Sequence, residues 1–80
     1  MKQIDECFDR HFAGKKPLAK KWQVRRIEHC LFLFHYHHKV LVYDTREKRV
    51  AFQWWEKPAD KRGLDAAKEY LKKHFESSTD

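Results

Sequence analysis

The sequence predicts one small α+β domain spanning residues 1–80, with elements in the order α-β(3–4)-α and both helices packed on one face of an antiparallel sheet. Three observations carry this expectation. An apolar stripe at helical spacing opens the chain, a β-rich and aromatic run fills its middle, and a second helical stripe closes it. Eighty residues suffice for one domain with a modest core, so dimerisation is a live expectation for so short a chain.

The first helix is expected over Lys2 to Ala13. Ile4, Phe8 and Phe12 recur every four residues, flanked by Cys7 and His11. Asp5, Glu6 and Asp9 lie in the early turns, where the helix dipole favours acids. Gly14 is suited to the left-handed residue that ends a helix, and Pro17 blocks continuation.

The sheet is expected over Trp22 to Trp55, which holds most of the aromatic residues. Trp22 and Val24 alternate with Gln23 and Arg25. Ile27 breaks that parity and points to a bulge near Arg25–Arg26 or a turn soon after. Cys30 to Tyr36 is apolar on both faces, with Leu31 and Leu33 on one and Phe32, Phe34 and Tyr36 on the other. That pattern suits a central strand covered on both sides, or covered on one side by a partner chain. Val40 to Tyr43 forms a further strand, Asp44 to Lys48 a polar turn, and Arg49 to Trp55 a returning strand. In that last strand Val50, Phe52 and Trp54 share one face, and Ala51, Gln53 and Trp55 the other. Between Glu28 and Lys39 no Gly or Pro marks a turn. One strand runs on with a bend, or a hairpin reverses near His35–Lys39, which leaves three or four strands open.

Pro58 suits the first position of the closing helix, whose stripe is Leu64, Ala67, Leu71 and Phe75 with Tyr70 and His74 beside it. Ser77 to Asp80 is expected to fray.

The net charge is +6, and it is unevenly placed. Residues 15–27 carry Lys15, Lys16, Lys20, Lys21, Arg25 and Arg26 with no acid, and a smaller basic excess lies over residues 45–62. Grouped cations of this kind attract a polyanion through counterion release, and Trp22 within the group offers a ring for a base to stack on. The competing reading is a solvated basic loop with Trp22 in the core. Trp54 and Trp55 point opposite ways on a strand, so if one fills the core the other needs different cover: a helix, a partner subunit or a ligand. Lys57, Lys61 and Arg62 stand at the start of the closing helix, where backbone amides and side chains together can hold a phosphate.

Other chemistries are weaker. His35 and His37 share a strand face but lack two further ligands for a structural zinc, so no metal or cofactor is expected. Glu28, Asp44, Glu47, Glu56 and Asp60 are scattered, no Gly-rich phosphate loop is present, and Cys30 with the nearby histidines makes a poor nucleophile and base because adjacent strand residues point apart. No enzyme activity is expected. No run of eighteen apolar residues occurs, acids occupy the place of a signal peptide's apolar core, and Cys7 and Cys30 make no disulfide framework. A cytoplasmic protein without a membrane partner is the expectation.

The order α-β-β-β-α is similar to that of double-stranded-RNA-binding domains. Asp60 to Lys68 resembles the basic start of that family's second helix, which implies phosphate contacts across a groove. The family's Gly-Pro-x-His loop is absent and its Lys-Lys-x-Ala-Lys run is not reproduced, so an order of elements is shared and no function is carried over.

The expected function is that of a small non-enzymatic nucleic-acid-binding protein, RNA or DNA. Lys15, Lys16, Lys20, Lys21, Arg25, Arg26, Lys57, Lys61 and Arg62 would meet phosphates, and Trp22 or Trp55 would stack on bases. The alternative is a protein-interaction module, acting as a dimer, adaptor or inhibitor that docks an acidic partner protein.

Overall fold

Helix α1 runs over Lys2–Phe12 and buries Ile4, Cys7 and Phe8 along one stripe. It stops as its sequence dictates. Gly14 adopts φ +74°, its amide donates to the His11 carbonyl, and the Lys15 amide donates to the Arg10 carbonyl. This is the Schellman arrangement, which satisfies carbonyls that a helix end leaves bare. The molecule is represented by a computed structural model that describes residues 1–16 and 21–76.

The middle of the chain folds into four strands: β1 (Trp22–Ile27), β2 (Cys30–His35), β3 (His38–Asp44) and β4 (Arg49–Gln53). They form an antiparallel meander in the order β1-β2-β3-β4. Helix α2 then runs over Pro58–Glu76, with Pro58 at its first position as expected. The open question between Glu28 and Lys39 resolves into two hairpins. Residues 28–29 connect β1 to β2, and residues 36–37 connect β2 to β3. Glu28 (φ 56°) and Tyr36 (φ 58°) take the left-handed conformation that tight hairpins ordinarily give to Gly or Asn. The β1–β2 register is regular throughout, so Ile27 breaks parity because a turn follows it and not because of a bulge.

The bulges lie elsewhere. One falls opposite Leu33/Phe34, where Val40 is inserted and both Val40 and Leu41 end up buried. The other falls between Val42 and Tyr43 on the β3–β4 pair. Val50 pairs with Tyr43 and packs on the core, whereas Phe52 pairs with Val42 and stands on the far side. The expectation that Val50 and Phe52 share a face is thereby corrected: an extra residue flips the alternation.

Both helices lie on one face of the sheet. Ile4, Cys7 and Phe8 of α1 and Leu64, Ala67 and Leu71 of α2 join Trp22, Val24, Leu31, Leu33, Val40, Leu41 and Tyr43 in one apolar core. Tyr43 also reaches past the core, donating its hydroxyl to Glu76 at 2.9 Å, and Tyr70 of α2 donates to Asp9 of α1 at 2.6 Å. Among the described residues, no helix is long and apolar enough to cross a membrane.

Candidate nucleic-acid interface

The uncovered face of the sheet is set by strand register. Gln23, Arg25 and Ile27 of β1 stand opposite Phe34, Phe32 and Cys30 of β2, and these in turn stand opposite Lys39, Val42 and Asp44 of β3. Phe52 of β4 completes the row beside Val42. β2 is a central strand, as its doubly apolar sequence predicts, but its two faces fare differently. Leu31 and Leu33 are buried under the helices, while Phe32 and Phe34 are half-buried on a face that no described element overlies.

Cations sit over these rings. The Arg25 guanidinium sits 5.7 Å from the centre of the Phe34 ring, and the Lys39 ammonium sits 4.6 Å from that of Phe52 and 5.8 Å from that of Phe32. The Phe32 and Phe34 rings are 6.4 Å apart and tilted by only 18°. A recess of about 210 Å³ lies beside them, lined by Gln23, Arg25, Phe34, Tyr36 and His37. Among the described residues on this face the carboxylate is that of Asp44, at its edge, and its Oδ1 already accepts the amides of Arg46 and Glu47. Those two amides hold the Asp44 carboxyl below its usual range, the Glu47 amide most strongly, against a smaller upward push from burial.

The opposite side of the molecule has different electrostatics. A cleft of about 530 Å³ between α1 and α2 is lined by Asp5, Asp9, Asp65 and Glu69, together with Tyr70, Lys73 and His74. Carboxylates predominate there, so a polyanion is disfavoured on that side.

The basic residues that stand together in the sequence do not all stand together in space. Arg25 faces the open side. Its neighbour Arg26 faces the helix side, where its Nε donates to the Glu28 carbonyl at 2.9 Å. There it adds to the burial that lowers the pKa of His11. Lys15 and Lys16 are exposed on the loop after α1, and the Lys16 carbonyl accepts a bond from Arg10. Lys21 enters the sheet beside Tyr36, whose amide donates to its carbonyl. Lys20 lies outside the described residues.

Trp22 is only 3% exposed and is not a stacking platform. It shares the core face with Val24, and its ring stacks on His35 at 4.1 Å and lies against Gly63. A Cβ built on Gly63 would approach the indole to 2.0 Å, so only glycine allows helix α2 to come this close. His35 in turn meets Asp60, with Nδ1 2.5 Å from Oδ1. The other Asp60 oxygen accepts the amides of Glu56 and Lys57. Burial alone would raise the Asp60 carboxyl, but these bonds outweigh it and hold the carboxyl below the usual carboxylate range, so His35 is the donor. Asp60 thus reaches back to cap α2 from within its first turn. That carboxylate occupies the Lys57 amide and the Lys57 carbonyl takes the Lys61 amide, so phosphate contacts by these residues fall to their side chains.

Those side chains are near the first basic block in one respect: the Trp22–Gly63 contact brings the start of β1 against the start of α2. Trp55 is 49% exposed, with the Lys61 ammonium 5.8 Å from its ring, and Lys61 also pairs with Asp65 at 2.7 Å. Trp54 takes the core-side role that the tandem tryptophans require of one member. His35 and His37 do not converge, since His35 is tied to Asp60 within the fold and His37 is exposed in a hairpin loop.

Phe32, Phe34, Phe52 and Lys39 are residues of the open face that the sequence does not mark as a site. The alternation of Phe32 and Phe34 is visible in the sequence but signals only a face that needs cover, and the partnership of Lys39 with Phe52 depends on two bulges. No protein-family model, curated protein or solved structure matches this chain. The four-stranded meander also differs from the three-strand order behind the resemblance to double-stranded-RNA-binding domains.

Proposed function

We propose that this protein is a non-enzymatic nucleic-acid-binding module that takes single-stranded RNA or DNA across the open face of its sheet. The observation that supports this reading best is the seating of Arg25 and Lys39 over the rings of Phe34, Phe32 and Phe52. Bases stack on aromatic faces without regard to sequence, and the two cations, displaced from the rings by the incoming bases, meet the phosphates between them. The arrangement is flat and open, which suits a splayed single strand better than a duplex groove. Lys21, beside Tyr36 at the head of β1, extends the cationic track. Net charge and the acidic cleft on the far side together orient a polyanion toward the sheet.

The test is a fluorescence-anisotropy titration of a labelled mixed-sequence single-stranded oligonucleotide at several salt concentrations. Affinity falls steeply with salt, and each of Arg25→Gln and Lys39→Gln lowers the magnitude of the log–log slope by about 0.7. Salt-independent binding, or unchanged slopes in the double variant, sinks the proposal. A pull-down from native lysate with and without nuclease separates it from docking of an acidic protein. Partners lost after nuclease support the nucleic-acid reading, and a nuclease-resistant protein partner blocked by the same two substitutions overturns it.

A further inference from the structure

At the end of the sheet formed by the β1–β2 hairpin, three side chains of different chemistry converge. His29 is the second residue of the hairpin loop, Cys30 opens β2, and Asp44 closes β3 directly opposite Cys30 in the register. One ligand atom from each lies within 4.8 Å of the others, and the His29 Nε2 to Asp44 Oδ2 distance is 3.5 Å. All three residues are half-buried. We propose that His29, Cys30 and Asp44 bind a divalent transition-metal ion of the zinc type.

The chemistry of the donor set selects the ion. One thiolate, one imidazole and one carboxylate form a mixed soft and hard set that suits zinc and is poor for calcium or magnesium, which take oxygens only. Tetrahedral zinc with ordinary bond lengths needs its ligand atoms about 3.3–3.5 Å apart. The imidazole–carboxylate edge already has that length, and the thiol needs to move inward by up to about 1.5 Å, a shift within the range of a side-chain rotation.

The surroundings hold two of the ligands in place. Asp44 Oδ1 accepts the amides of Arg46 and Glu47, both at 2.9 Å, which leaves Oδ2 turned toward His29. The His29 carbonyl accepts both the Thr45 amide and the Thr45 hydroxyl, so the loop is fastened to the start of the β3–β4 turn. Outer contacts of this kind orient metal ligands. Three protein ligands leave a fourth position for water. On binding, the Cys30 thiol proton passes to solvent and the sulfur bonds the metal as thiolate. The ion would tie the β1–β2 hairpin loop and the start of β2 to the end of β3, at the end of the sheet opposite the Trp22–His35–Asp60 contact, and it does not depend on the nucleic-acid reading.

The test is titration of the full, metal-free chain with cobalt(II) and then zinc(II). The expected result is one equivalent of cobalt bound with thiolate-to-cobalt charge-transfer absorption, displaced by zinc, and a rise in Tm with zinc. Cys30→Ser abolishes the charge-transfer band, and Cys7→Ser keeps it. His29→Gln and Asp44→Asn each weaken binding by at least the roughly 10–100-fold that follows loss of an outer-shell partner. Asp44→Asn retains an oxygen for the Arg46 and Glu47 amides, and an unchanged circular dichroism spectrum in the metal-free variant separates ligand loss from unfolding. Absence of the band in the wild-type chain, or its persistence in Cys30→Ser, overturns the proposal. So does cobalt binding that is lost only in a His37→Gln, His38→Gln double variant.

Discussion

The two faces of this sheet draw on similar side chains and put them to different use. On the covered face Trp22 stacks on His35, which Asp60 holds, and lies so close to Gly63 that no side chain fits between them. On the open face Phe32 and Phe34 lie beside each other, and the charged groups over these rings and Phe52 are the ends of long side chains, Arg25 and Lys39. An aromatic ring is a structural member where rigid neighbours enclose it, and an available surface where its neighbours are flexible and charged. Burial, not residue type, makes the difference.

The strongest way to break this contrast is to attack the covered face at its buried charge. Asp60→Ala leaves His35 without its partner and α2 without its cap, and stability should fall by about 3 kcal/mol in denaturant unfolding. The pH dependence follows in sign. The folded carboxyl titrates below its ordinary value, so its stabilisation is complete at neutral pH and is lost as pH falls from the ordinary carboxylate value through the lower folded one. Wild-type stability should decline over that acid window, and the Asp60→Ala variant should decline less. Equal acid sensitivity in the two chains would contradict the assignment.

Gly63→Ala comes next. The added methyl meets the indole of Trp22, and overpacking of this kind should cost about 2 kcal/mol. A neutral result would mean that α2 can slide off the sheet at little cost.

On the open face the expectation reverses. Phe52→Ala should change stability by less than about 1 kcal/mol, because the ring is 38% exposed on an edge strand. Its effect should appear in oligonucleotide affinity, weakened about tenfold, as for the loss of one stacking contact. A large loss of stability with unchanged affinity would place Phe52 with the structural residues.

Much of the architecture is legible in the sequence. The Ile4–Phe8 stripe, the Gly14 stop, Pro58 at the helix start and the Asp44–Lys48 turn each carry a local physical signal. The hairpins at residues 28–29 and 36–37 do not, because Glu28 and Tyr36 occupy positions for which neither has intrinsic preference. Pairing on both sides imposes that conformation. The smallest expected effect tests this point: Glu28→Gly should raise stability by about 0.5 kcal/mol, since glycine relieves the left-handed strain at some cost in unfolded-state entropy. The interface was legible only as composition. Its basic residues are visible in the sequence, but the parity that sends Arg25 and Arg26 to opposite faces and the bulges that bring Lys39 to Phe52 are properties of paired strands.

The meander has a kinetic corollary. Each strand pairs with its neighbour in the chain, so the sheet needs only short loops to close, whereas the Trp22–Gly63 contact joins the first strand to the last helix. Contacts that are distant along the chain carry the larger closure entropy and tend to form late. Docking of α2 is therefore expected after the rate-limiting step. In that case Gly63→Ala should steepen the loss of the folded state, accelerating unfolding about 30-fold for a 2 kcal/mol destabilisation, while the refolding rate stays nearly unchanged. Slowed refolding instead would place the helix in the nucleus and make the sheet dependent on it from the start.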